Sequence, residues 1–311
     1  MCADRSGSGD VMRSTQNLTE TFRRMPAARS WYPLAAAIAL ICAGSIAQAA
    51  SSTSIGPHAP TAQSWPVTSC ADDGPGSLRQ VVANNQTQSG DTIDLSQIQC
   101  ATITLSTGAI DIPQNDLTLR GPGATRLTID ATGSRLFTQA AGRLHIDGSK
   151  LSGGTYHAAG PAHGGCILGA ADVYLSHTEV SNCSVTSDTG IAAGGAVFAK
   201  DITLVASRVS DSEAASSTGV AYGGGVAATH GVLAKYSTLS NNRAEPGTAD
   251  TSDGGAIYAA EYASVIASTI DHNTASIASG IHAGLTIDMS ESTVSGNLST
   301  QCCALMAAGA Y

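Results

Sequence analysis

Short stretches in which apolar and polar residues alternate recur along this chain: DTIDLS (91–96), ATITLS (101–106), DLTLRG (116–121), RLTIDA (126–131) and RLHIDG (143–148). Alternation with period two sends successive side chains to opposite faces of a strand, and Gly, Pro, Asp or Asn bounds each stretch. From residue 164 the pattern becomes a repeat. Gly164-Gly165, Gly194-Gly195, Gly224-Gly225 and Gly254-Gly255 recur at intervals of thirty, each pair close to a small apolar segment (CIL, AVF, VAA, AIY). A second strand-like segment follows in every repeat, and its last apolar residue falls at Val180, Val209, Leu239, Ile270 and Val294, with gaps of 29, 30, 31 and 24.

Repeats of roughly 20–50 residues belong to solenoids, propellers or arrays. Helical repeats would show a 3.6-residue period, which is missing. A propeller blade needs about 40–45 residues and aromatic anchors, and a leucine-rich repeat needs its leucine ladder. The chain is therefore predicted to be all-β, a right-handed single-stranded parallel β-helix (β-solenoid). Coils stacked about 4.8 Å apart would place equivalent residues over one another. Glycine pairs then supply a corner with freedom at positive φ and no Cβ to collide up the stack. Glu179 and Arg208, each one residue before an inward Val, are expected to pair on adjacent coils.

The remaining segments divide the chain. GPGSLRQVVANN offers Ser77 as a helix N-cap, with Leu78, Val81 and Val82 on one face; a short N-terminal capping helix is predicted. Residues 1–49 read as an export signal, with a basic Arg29, an apolar run from Leu34 to Ile46 and Ala47-Gln48-Ala49 as cleavage site, and Met25 as the preferred start. That apolar run is shorter than the roughly 20 residues a membrane span requires, so no transmembrane segment is expected in the mature chain. Residues 50–66 read as a flexible lead-in, 67–297 as the β-helix, and 298–311 as an irregular tail.

GPGSLRQVV…GDTIDLS, then DLTLRGPGATRLTID, then repeated Gly-Gly-Ala-[Ile/Val] with Ser-x-[Val/Ile/Leu]-Ser-x-Asn, resembles bacterial secreted β-helix proteins of the pectin-lyase-like fold. This group includes proteins similar to the polymorphic outer membrane proteins and surface adhesins. The resemblance covers residues 67–297. It implies an extracellular or outer-membrane-associated bacterial protein, with an extracellular polysaccharide or a host or cell surface as partner. It is weak for activity, because the same scaffold serves adhesins, surface proteins and polysaccharide-active enzymes.

Composition narrows the picture. With 34 Gly, 3 Phe, 2 Trp and 13% charged residues, the chain suits thin layers rather than a thick aromatic core. Removing residues 1–49 takes away five Arg and three Asp or Glu from 15 basic and 24 acidic residues, leaving 10 and 21, a net charge of −11. That field disfavours nucleic acid and anionic membranes. Six cysteines remain, none in a Cys-x-x-Cys. In an exported chain they read as disulfides, with Cys70–Cys100 and Cys166–Cys183 expected as local pairs.

Candidate chemistry is sparse. Asp271 and His272 at a strand end, with Arg208, form the best catalytic-looking set, but Ser181-Asn182, Ser210-Asp211 and Ser240-Asn241 hold the same place, which points to a polar turn. Glu245, Asp250 and Asp253 crowd one loop and are the only candidates for Ca²⁺; a solvated acidic loop is the simpler reading, and no cofactor is expected. Asp72-Asp73 matches one signature of the related hydrolases but lies in the N-terminal turn. Tyr222, Tyr236, Tyr258 and Tyr262 read as strand tyrosines before a sugar-stacking surface. The expectation is a non-catalytic surface or secreted protein acting in adhesion or envelope contact; the alternative is a polysaccharide lyase or hydrolase.

Overall fold

The computed structural model describes residues 61–248 and 251–309. The segment 1–49, Met25, Asp250 and Tyr311 lie outside the described residues. The rest is a parallel β-solenoid in which the chain circuits three faces per coil and every paired strand runs parallel to its neighbour. Face one belongs to a 15-stranded sheet, face two to an eight-stranded sheet and face three to a six-stranded sheet, and a four-stranded strip lies at the glycine corner.

Each coil follows the same local logic. Asp172–Ser176 lies on face one, Glu179–Ser181 on face two, Ser184–Ser187 on face three and Ala192–Ala193 on the strip. Alternation sends Leu144, Val173, Ile202, Val232 and Ala263 inward as one column of face one, each at most 1% exposed. Leu151, Val180, Val209, Leu239 and Ile270 do the same on face two. Face three closes the interior with Val185, Ala214, Ala244 and Ala275, since only small side chains fit there.

Two rows of left-handed residues turn the corners. His177, Ala206, Tyr236, Ala267 and Glu291 stand between faces one and two; Asn182, Asp211, Asn241, His272 and Gly296 stand between faces two and three. At the strip, the positive-φ position is taken by Gly164, Gly194, Gly223 and Gly254. Register pairs Ala193 with Tyr222 and Tyr222 with Asp253, so Gly223, not Gly224, matches Gly194 and Gly254. Gly224 instead matches the second glycines, Gly165, Gly195 and Gly255. A Cβ on Gly165, Gly195 or Gly255 would come within 2.1–2.2 Å of a carbonyl oxygen of the next coil.

The expected disulfides Cys70–Cys100 and Cys166–Cys183 are both present. A six-residue helix, Leu78–Ala83, is the one helix among the described residues; the Ser77 side chain accepts from the Gln80 amide, and Leu78 and Val82 are buried in the core. The ladder reaches further at both ends than the sequence pattern indicates. Ser64–Pro66 pairs with Asp91–Asp94, within the segment read as lead-in. Leu298–Ser299 and Leu305–Ala307 pair with the preceding coil, so the segment read as an irregular tail carries strands. The expected Glu179–Arg208 pair has the right register but the wrong partner. Glu179 meets Lys150 on the other adjacent coil at 2.7 Å, and Arg208 Nη2 donates to Ser240 Oγ at 3.1 Å.

Candidate functional site

The outward positions of face one form a grid of three columns. One runs Asp116, Arg143, Asp172, Asp201, Gly231, Tyr262; the next Thr118, His145, Tyr174, Thr203, Leu233, Ser264; the third Asp94, Arg120, Asp147, Ser176, Val205, Lys235. Signs alternate up the first coils: Arg143 stands between Asp116 and Asp172, with Nη2–Oδ2 at 3.7 Å to Asp172, and Arg120 between Asp94 and Asp147. Neighbouring charges thereby offset one another across the coil spacing.

One hydrogen-bonded cluster lies here. Ser176 Oγ donates to Asp147 Oδ1 at 2.6 Å, lies 2.9 Å from His145 Nε2, and the same Asp147 oxygen meets His177 Nδ1 at 3.0 Å. Burial works against ionising Asp147, but hydrogen bonds from Ser176 and His177 outweigh it and hold its carboxyl below the usual range. Burial first, then Arg120 and Arg143, push His145 down, with Asp147 opposing, so the ring is neutral at pH 7. A serine hydroxyl carries one proton. Because that proton lies toward Asp147, His145 Nε2 must donate to Ser176 rather than accept from it, and the serine is not activated as in a hydrolytic triad. The amides along this face are engaged in the parallel ladder, and no pair of them forms an oxyanion hole.

Further along, a β-bulge shapes a groove. Between Ala199↔Ala228 and Asp201↔Gly231 the later coil carries one extra residue, which aims His230 at Asp201, Nδ1–Oδ1 2.6 Å, with Glu261 3.5 Å from Nε2. Gly231 leaves the space that Tyr262 occupies; a Cβ there would sit 2.2 Å from the ring. Tyr262 lies edge-on to His230 and its hydroxyl reaches Asp201 Oδ1 at 3.4 Å. Burial and the charge of Asp201 push its phenol upward. The result is an open groove of about 470 Å³, with Tyr174, Leu233 and Tyr262 as apolar surface and Thr203, Ser264 and Asp172 as polar groups.

The residues singled out from sequence are dispersed. His272 Nδ1 lies 2.9 Å from Asp271 Oδ2, but this pair sits in the corner row and Arg208 is two coils and two residues away. The three do not converge. Glu245 is held by Arg243, and Asp253 faces His282. The Ca²⁺ candidates Glu245 and Asp253 therefore have separate partners, and among the described residues no group of three or more His, Cys, Asp or Glu side chains is arranged to hold a metal. Asp72 accepts from Arg79 and from the Ser106 and Thr107 amides and is a structural staple. Tyr222 and Tyr258 stack at 4.4 Å, with His282 next at 5.2 Å; Tyr236 is exposed, and of these four tyrosines Tyr262 lines the groove. Asp201, His230 and Tyr262 are not recognisable from spacing, because a bulge and a missing Cβ bring them together. The one available sign is that Asp201, Gly231 and Tyr262 recur at 30 and 31 residues. No family model, curated protein or solved structure matches this chain.

Proposed function

We propose that this is an exported, non-catalytic solenoid that acts by binding, in adhesion or contact with an envelope polymer, through the outer side of face one. The observation that carries this reading is the groove around Tyr174, Leu233 and Tyr262. It is open, mixed apolar and hydroxylic, and its carboxylates are already engaged by His230 and Arg143. Concave surfaces with aromatic walls and a few fixed polar groups suit a small ligand or one unit of a chain, and a neutral, hydroxyl-rich saccharide matches Thr203 and Ser264 beside two tyrosines. The sequence resemblance supports a bacterial, secreted, pectin-lyase-like protein. The coil is taken as right-handed, the hand adopted by nearly all parallel crossovers, and the helix Leu78–Ala83 as the cover of its first coil.

The test is a panel of neutral and acidic polysaccharides, scored for binding by titration calorimetry and for turnover by reducing-end release and ultraviolet absorbance of unsaturated products. A neutral oligosaccharide is expected to bind, and Tyr262→Ala to weaken it by about tenfold, or ~1.4 kcal/mol. Turnover of any polymer overturns the non-catalytic reading in favour of a lyase or hydrolase. Binding that is indifferent to Tyr262→Ala removes the groove from it.

A further inference from the structure

A second groove, of about 480 Å³, opens where face three begins, between the turn Gly133 to Arg135 and the strands Thr155–Ala158 and Ser184–Ser187. The Arg135 guanidinium carbon lies 3.3 Å from the Tyr156 ring centroid. Its Nε donates to Gly164 O and its Nη2 to His163 O, each at 2.7 Å. These contacts fix the plane of the group and use one edge of the fork, leaving the Nη1 end for another acceptor.

Among the described residues Arg135 forms no ion pair, whereas Arg79, Arg143 and Arg243 each have a carboxylate. Burial lowers its pKa from the ordinary arginine value, with Tyr156 opposing. A half-buried cation held by two carbonyls and a ring is only partly compensated for lost hydration. No carboxylate lines the groove; its other walls carry the hydroxyls of Thr155, Ser184 and Thr186 and the ring of His157. His157 Nε2 faces Asp188 Oδ1 at 2.8 Å, and with its proton directed there the ring adds no donor to the groove. Donors thus approach from two sides: the guanidinium from one coil and the hydroxyls from the next two. A group with three terminal oxygens satisfies such a set better than a planar one with two.

We propose that the Arg135 groove binds a tetrahedral oxyanion, a sulfate or a phosphate ester. The site is separate from the face-one groove and does not require it. The net charge of −9 repels anions at a distance, but at physiological salt that field decays over about 8 Å, so the fixed guanidinium governs contact.

The experiment titrates the full chain, by chemical-shift perturbation and calorimetry, with glucose, glucuronate, glucose 6-sulfate and glucose 6-phosphate. The sulfate or the phosphate ester, the comparison of the two naming the source, should bind about tenfold or more tighter than glucose and glucuronate. Arg135→Gln should abolish that preference and Arg135→Lys should weaken it, while Tyr262→Ala leaves it intact. Equal affinity for glucose and its esters, parity of glucuronate with them, no binding of any of the four, or an unchanged preference in Arg135→Gln would each overturn the proposal. Should Arg135→Gln fail to fold, the four-sugar comparison on the wild-type chain decides alone. The binding proposed for face one survives such a failure, because its ligand and its test residue are different.

Discussion

At the scale of single residues, the corners are held by two internal ladders. Thr178, Ser207, Ser237, Ser268 and Ser292 follow the first left-handed row. The hydroxyls of Ser207, Ser237 and Ser268 each donate to the carbonyl two residues back and accept an amide from the preceding coil. At the second corner the side-chain oxygens of Asn242, Asn273 and Asn297 each accept an amide of the preceding coil, and each Nδ2 donates to a carbonyl of that coil. Asn273 Oδ1 accepts from the amide and side chain of Asn242 at 2.9 and 3.0 Å, and its Nδ2 donates to Leu239 O at 3.0 Å. Stripping Asn273 to Ala orphans a buried amide and a buried carbonyl at about 1–3 kcal/mol per group. Asn273→Ala should therefore lower the urea midpoint far more than Asn241→Ala, whose side chain points outward; equal shifts would disprove the ladder's role. Glycine obeys the same stacking. Gly195→Ala forces a Cβ to 2.1 Å from Gly224 O and should cost about 3 kcal/mol or more, while Gly160→Ala, with nothing within 4 Å, should stay within about 0.5 kcal/mol.

At the scale of elements, Asp72 fastens the N-terminal turn to the coil beneath it. Asp72 accepts from Arg79 at 2.8 Å and from the Ser106 and Thr107 amides at 2.7 Å each, and Arg79 also donates to Gly108 O and Ala109 O. Burial opposes ionisation of Asp72, but these donors outweigh it and hold its carboxyl well below the usual range. A carboxyl depressed in the folded state contributes stability that is present above its unfolded pKa of about 3.9 and is lost as pH falls toward the folded value. Stability should decline below about pH 4, and Asp72→Asn should flatten that decline while lowering stability at pH 7. A variant with an unchanged acid limb would sink this assignment.

Elements were largely legible in the sequence because period-two alternation and glycine corners are local signals. Val180, Val209, Leu239, Ile270 and Val294 do stack as their spacing implied. What was hidden depends on register. Three consecutive glycines, Gly223 to Gly225, cannot disclose which one takes the turn, and one bulge residue decides where His230 points. Arg135 sits in TGSRLF with no local mark of function; its meaning comes from Tyr156, one coil later.

At the scale of the molecule, a solenoid's stability is close to a sum over coils and the interfaces between them. Interior coils have a neighbour on both sides. Val197–Val205 and Val226–Lys235 are paired along both edges, and their inward side chains are buried. The coil bearing Thr286–Ser290 and Thr293–Ser295 is covered on one side only among the described residues, so Ile287, Met289 and Val294 are just partly buried and Leu298 is 63% exposed. Opening that coil breaks one interface, whereas opening an interior coil breaks two. Amide hydrogen exchange followed by mass spectrometry should therefore show graded protection, fastest over residues 286–307 and slowest over 197–235. Substituting Ile287 by Ser should speed exchange in its own coil and the one before it, leaving residues 143–181 unchanged. Uniform exchange of all coils in a single cooperative step would mean that the stack opens only as a whole, and that coupling along the axis exceeds what pairwise interfaces supply.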